Sequence, residues 1–312
     1  MAIQIRGCGT ALVTPFKRDG TIDVDSLRKL VQFQLRDGID FLVPCGTTGE
    51  TPALEKQEYL GVIRVVVEET AGKAPIIAGV GGNNTRHVCD LAKSVSGLGV
   101  QGILSVAPYY NKPTQEGLFQ HFAAIAEASE LPVILYNVPS RTSSNIEPAT
   151  VERLSKVPNI IGIKEASGSI VQQLELINRV DASFAVLSGD DSFTLPLMSI
   201  GGAGVISVVS NQIPGPMSQL TRLLLEGNYA EARKLNARLF PLMQANFIET
   251  NPIPVKAGLA MMGMIEEVYR LPMVPMRPEN RAKLEKVMVS VGLLKAKPAS
   301  APTLSSAQPK KL

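Results

Sequence analysis

Short apolar runs recur along the chain, each followed by a longer stretch whose apolar positions return at helical spacing. The runs are "TALVTPF" (10–16), "FLVPCG" (41–46), "PIIAGV" (75–80), "GILSVAP" (102–108), "PVILYNV" (132–138), "IIGIKEA" (160–166), "FAVLSG" (184–189) and "GVISVV" (204–209). Most are apolar throughout instead of at alternate positions. Strands buried on both faces, as in parallel sheets, have that pattern. In the first intervening stretch Val24, Leu27, Val31 and Leu35 mark one helix face, behind Asp23 as N-cap. Ser169 and Gln172 stand at capping-box spacing after the sixth run.

Eight strand-then-helix units in series predict an α/β fold, a (β/α)8 TIM barrel over residues 1–227. A doubly wound sheet is the alternative, because repetition alone does not prove that the sheet closes. From about residue 228 the alternation stops. "YAEARKLNARLFPLMQANFI", "PIPVKAGLAMMGMI" and "PENRAKLEKVMVSVGLL" predict a C-terminal appendage of three helices over 228–294. The last segment, "KAKPASAPTLSSAQPKKL" (295–312), has almost no bulky apolar residues, which predicts a disordered tail.

Composition narrows the function classes. Hydrophobic residues at 45% and charged residues at 19% of 312 are ordinary for a soluble enzyme. The net charge of +3 owes much to Lys295, Lys297, Lys310 and Lys311, and no basic stripe is interleaved with aromatics. Nucleic-acid binding is therefore not expected. The three cysteines show no CxxC pairing, so neither a zinc site nor a disulfide framework is predicted. The N-terminus has no basic segment followed by an apolar run, and no apolar stretch approaches the roughly 20 residues that span a bilayer. A cytoplasmic, non-membrane protein is expected, and "NNT" at 83–85 then has no meaning as a glycosylation acceptor. "GLGVQG" (Gly97, Gly99, Gly102) spells the dinucleotide fingerprint, but it closes a helix and leads into a strand, the reverse of the required context.

In a barrel, catalytic groups gather at the C-terminal ends of the strands. Those ends carry Thr47 and Thr48 in "GTTGET", Tyr109 and Tyr110 in "PYYNKPTQEG", Tyr136 and Arg141 in "YNVPSRT", and Lys164 at the end of "NIIGIK". Each has a plain structural reading: a glycine-permitted turn, a core aromatic, a surface salt bridge, a lysine snorkelling to water. Together, at one end of the barrel, they read better as a site. His87 and His121 lack carboxylate or cysteine neighbours at metal-ligand spacing, and His121 reads as structural. A lysine among apolar walls loses part of its affinity for a proton and becomes an amine able to attack a carbonyl. Glycine-rich strand-to-helix turns present N–H groups and hydroxyls to anions.

With "GTTGET", "PYYNKPTQEGLFQHF", "LYNVPSRT", "IIGIKEASG", "LSGDD", "GVISV" and "NPIPVK" in order over about residues 5–294, the chain resembles the dihydrodipicolinate synthase family. That family lies within the pyruvate-dependent class I aldolase and N-acetylneuraminate lyase superfamily. The resemblance implies a lyase that condenses pyruvate with L-aspartate 4-semialdehyde to 4-hydroxy-tetrahydrodipicolinate, in lysine (diaminopimelate) biosynthesis. No metal or organic cofactor is implied. Lys164 would form the Schiff base. Thr48, Tyr136 and Tyr110 would relay protons, Tyr110 entering from a neighbouring subunit of a homotetramer built as a dimer of dimers. Thr47 and Thr48 would hold the pyruvate carboxylate, Arg141 the semialdehyde carboxylate, and Gly189 and the Ile206 carbonyl would border the site.

A lysine-inhibitory site of the family would map to Thr51, Pro52, Lys56, Tyr59, Asn83, His87 and Tyr109. His87 stands where an acid is usual, and Lys56 adds a like charge, so weak or absent inhibition by lysine is expected. Strong inhibition at low lysine concentration would contradict this. The rival readings are an aldolase or dehydratase acting on a sugar acid, which has no need of Arg141 for the semialdehyde, and a non-catalytic barrel that binds a keto acid.

Overall fold

The computed structural model describes residues 5–295; the expected tail beyond Lys295 lies outside them. Eight parallel strands form one sheet: β1 (Gly7–Ala11), β2 (Phe41–Val43), β3 (Ile77–Gly79), β4 (Gly102–Val106), β5 (Val133–Asn137), β6 (Ile160–Glu165), β7 (Ala185–Ser188) and β8 (Gly204–Ser207). Their order is β2-β1-β8-β7-β6-β5-β4-β3. The two end strands meet through a parallel bridge between Leu42 and Ile76 and through Gly79 N–H donating to the Pro44 carbonyl at 2.9 Å. The sheet is therefore a barrel, and the doubly wound alternative falls away.

The first strand differs from expectation, running over 7–11 instead of 10–16. The run of bulky residues misleads here, because the strand needs glycine. A Cβ on Gly9 would lie 2.0 Å from the Phe41 ring, so this residue leaves the space that the ring fills. Pro15 has no N–H for a ladder, and Phe16 instead bridges antiparallel to Ile22.

The helices follow the sequence pattern. α1 (Val24–Arg36) starts where Asp23 accepts the Ser26 N–H at 3.1 Å. α2 (Lys56–Thr70), α3 (Thr85–Ser96), α4 (Gln115–Ala128), the one-turn α5 (Pro139–Thr142) and α6 (Pro148–Leu154) follow. α7 (Ile170–Arg179) is capped by Ser169, whose hydroxyl accepts the Gln172 N–H. Only half of the capping box forms, since the Gln172 side chain pairs with Asn145 instead. α3 ends at Gly97 and β4 opens at Gly102, so the glycine fingerprint does join a helix to a strand. α8 (Thr194–Ser199) and α9 (Pro214–Leu225) complete the barrel. α10 (Tyr229–Ala245), α11 (Ile253–Met261) and α12 (Pro278–Ser290) come after it.

Alternate strand positions feed two apolar clusters. Phe41, Val43, Ile77, Leu104, Ile134, Tyr136, Leu187 and Ile206 form one, filling the barrel. Leu42, Ala78, Ile103, Leu135 and Ile163 belong to the larger cluster, with Leu27, Val66 and Phe122 of the helices. Each fully buried side chain of this kind contributes roughly 1.5–3 kcal/mol, so the strand–helix layer supplies most of the apolar driving force. A third cluster joins Val255, Leu259 and Ile265 to Val13, Leu30 and Val208, which ties α11 to the barrel mouth. His121 is buried between α3 and α4, with Nδ1 2.9 Å from the Thr85 hydroxyl; burial pushes its pKa down to about 4, which leaves it neutral.

Candidate active site

β5 and β6 place two reactive side chains on adjacent rungs of one ladder, because Tyr136 is in register with Lys164. The Lys164 ammonium nitrogen lies 4.4 Å from the centre of the Tyr136 ring. Lys164 is only 5% exposed. Beside it, Gly189 follows β7 without a side chain. A Cβ there would come within 3.1 Å of Lys164 Cγ and Cε, so glycine leaves room for the lysine stem.

The walls explain the charge state of the amine. Burial is the largest influence and brings the Lys164 pKa from 10.5 to about 8. The Asp191 carboxylate pulls it up, the Arg141 guanidinium pushes it down, and Asp190 pulls it up. At neutral pH about one amine in ten is then uncharged, against roughly one in 3,000 for a free lysine. The gain of about two orders in reactive amine is what the position of Lys164 in an apolar strand achieves. The Tyr136 phenol moves the other way: burial raises its pKa, while Arg141 and a hydrogen bond from Thr47 lower it.

A cavity of about 280 Å³ opens in front of Tyr136. It is lined by Gly46, Thr47, Gly81, Val106, Tyr136 and Arg141, among others. Lys164 does not itself line it but sits against the tyrosine ring that does. Thr47 and Thr48 belong to a 3₁₀ turn, Thr47–Gly49, and their side chains part company. Thr47 approaches Tyr136, whereas the buried Thr48 hydroxyl accepts a hydrogen bond from Asn251 Nδ2 at 3.0 Å. The hydroxyl next to the phenol is thus that of Thr47, where the sequence reading had Thr48 in the relay.

Arg141, on α5, is exposed and donates through Nη2 to the Asn251 carbonyl at 3.2 Å. Ile206 is buried in β8, in register with Gly9. Tyr110 is not brought in. It is 88% exposed, does not line the cavity, and has a left-handed backbone (φ 74°). Of the residues matched to the lysine-inhibitory site, Thr51, Pro52 and Tyr109 line the same cavity. Tyr59 is buried and donates its hydroxyl to the Gly79 carbonyl at 2.8 Å. Asn83 Nδ2 donates to the Tyr109 carbonyl at 3.2 Å. His87 and Lys56 sit in the first turns of α3 and α2.

Sequence reasoning missed Asn251, which touches both Thr48 and Arg141, and gave Asp190 and Asp191 no role. Asp191 is buried, accepts the Val208 and Val209 N–H groups at 3.1 and 2.9 Å, and has its pKa raised by burial to about 6. The signal was available in "LSGDD", where two acids follow an apolar strand. Cys45 also lines the cavity, but burial pushes its thiol pKa far up, so it is no nucleophile.

Known proteins resemble this chain over most of its length. A 4-hydroxy-tetrahydrodipicolinate synthase of Koribacter versatilis is 58% identical over 94% of this chain and 98% of its own length. The crystal structure of dihydrodipicolinate synthase from Aquifex aeolicus superposes with a TM-score of 0.91 at 44% identity, covering 94% of this chain and all of that one. The chloride-inhibited enzyme of Acinetobacter baumannii, solved in complex with pyruvate, superposes with a TM-score of 0.92 at 42% identity, over 93% of this chain and all of that one. With the family's sequence profile matching residues 4–290, the chain belongs to the Dihydrodipicolinate synthetase family.

Proposed function

We propose that this enzyme condenses pyruvate with L-aspartate 4-semialdehyde through a Schiff base on Lys164. The observation that carries the reading is a lysine amine with its pKa near 8 on the rung beside a buried phenol. The neutral amine adds to the ketone of pyruvate, and water leaves to give an iminium ion. A methyl proton is lost and the resulting enamine carbon attacks the aldehyde. Tyr136 returns a proton to the alkoxide so formed. The amine of the bound semialdehyde then attacks the iminium carbon, closes a six-membered ring and releases Lys164.

The hydroxyl that passes protons to and from Tyr136 is assigned to Thr47, the phenol's neighbour. The Thr47–Thr48 turn takes the pyruvate carboxylate, with Thr48 held by Asn251. Arg141 takes the semialdehyde carboxylate, for which a planar two-pronged donor is suited. The relative solved with pyruvate supports the keto acid as first substrate. A coupled assay with both substrates, followed by borohydride trapping and mass spectrometry, tests the reading. Turnover and a pyruvate adduct on Lys164 are expected; the absence of both would favour a keto-acid-binding barrel.

The working assembly in this reading is a cytoplasmic homotetramer of tight dimers, in which Tyr110 of a second copy completes the proton relay. The outward phenol of Tyr110 supports this, as do the exposed apolar residues Ile170, Val171 and Leu174 on α7. Sedimentation at the mass of four chains is the expected result, and a lone chain with full activity would overturn it. Among the described residues no helix is long and apolar enough to cross a membrane.

A further inference from the structure

The turn that carries Thr47 and Thr48 is held by a buried charge pair that no step above uses. Glu50 closes the turn in a left-handed conformation (φ 52°), which a residue with a Cβ seldom adopts. Its carboxylate is shared. Oε1 accepts Lys256 Nζ at 2.5 Å, and Oε2 accepts the Arg270 backbone N–H at 3.1 Å. Lys256 comes from α11 and is 0% exposed. Its ammonium lies 4.3 Å from the centre of the Phe16 ring and 5.2 Å from that of Tyr269. Arg270 stacks on the other part of this box, 4.6 Å from the Phe16 ring, and its guanidinium is paired with Glu58.

A buried ion pair is a poor device for stability alone. Desolvating two charges offsets most of their attraction, and apolar side chains of the same volume often hold a fold equally well. What the pair adds is direction. A fully buried ammonium must meet its acceptor, so the Glu50 carboxylate has one place to be, and the backbone two residues before it, at Thr48, is placed with it. The same stretch of chain reaches Thr48 a second time through Asn251. Arg141 meets that stretch only at the Asn251 backbone carbonyl, a contact to which neither Glu50 nor Lys256 contributes an atom.

We propose that Glu50 and Lys256 are a positioning pair, which fixes the Thr47–Thr48 turn against Lys164 and so sets the affinity for the carboxylate of the keto acid. This rests on the reading of that turn as the pyruvate carboxylate site. The pair touches neither substrate, and its influence falls on one substrate and spares the other.

The double variant Glu50→Gln/Lys256→Met tests it, because it removes both charges, keeps the volume and leaves no buried charge without a partner. With a melting temperature close to that of the wild type, KM for pyruvate is expected to rise about tenfold or more, while kcat and KM for the semialdehyde stay within about threefold. Wild-type KM for pyruvate, or an equal loss toward both substrates, overturns the proposal. Should the double variant fail to fold, Glu50→Asp keeps both charges and shortens the reach by one methylene. It is expected to raise KM for pyruvate at least about threefold, and a wild-type value overturns the proposal. Borohydride trapping separates the two levels of inference. A wild type that captures no pyruvate overturns the functional reading, whereas capture that is equally efficient in wild type and variant at pyruvate well below the wild-type KM overturns only the positioning pair.

Discussion

Lys164→Ala is expected to lower the condensation rate by about 10⁴-fold or more and to abolish borohydride-trappable pyruvate. No other described lysine lies against Tyr136, so no second amine is placed to take over. The sign of the pH dependence follows from the charge state. The attacking form is the neutral amine, and burial lowers its pKa to about 8. Below that value the rate of adduct formation should climb about tenfold per pH unit, then level off above it. Pre-steady-state trapping from about pH 6 to 9 reads this directly. A flat profile, or a variant retaining more than about a hundredth of wild-type turnover, would sink the covalent mechanism.

The second large effect belongs to Arg141. Arg141→Ala should reduce kcat/KM for the semialdehyde about 10²–10³-fold, the usual cost of removing the charged partner of a bound carboxylate. KM for pyruvate should change no more than about threefold. Arg141→Lys should rescue little, since an ammonium cannot offer two parallel donors. A subtler signature accompanies the loss. Arg141 is one of the charges that hold the Lys164 pKa down, so its removal should move the adduct-formation profile toward higher pH. Retained activity toward the semialdehyde would instead favour an aldolase or dehydratase that acts on a sugar acid.

The strands and most helices were legible because buried parallel strands and amphipathic helices write different periods into the sequence. Gly7–Ala11 was not, since it is built for close packing by glycines that strand propensity discounts. Lys164 was legible because a lysine is out of place in an apolar strand, and Tyr136 and Arg141 because they lie near the end of β5 and in the short helix just after it. The choice between Thr47 and Thr48 was not, because consecutive residues of a 3₁₀ turn point in different directions and sequence carries no sign of which one meets the phenol. Lys256 was legible in principle: it interrupts "NPIPVKAGLAMM" as Lys164 interrupts "NIIGIKEA". Its partner Glu50 is 206 positions away, and no local pattern links them.

The pairing of Tyr136 with Lys164 across one ladder has a consequence for how such an enzyme diversifies. The nucleophile and the proton carrier are spaced by backbone hydrogen bonds of the sheet, whereas Arg141 rides on a one-turn helix outside it. The spacing of the two groups that capture the keto acid is thereby independent of the residue that selects its partner, which reaches them only through its charge. Mutation can retool the acceptor aldehyde in the loops while the inherited reaction centre stays intact.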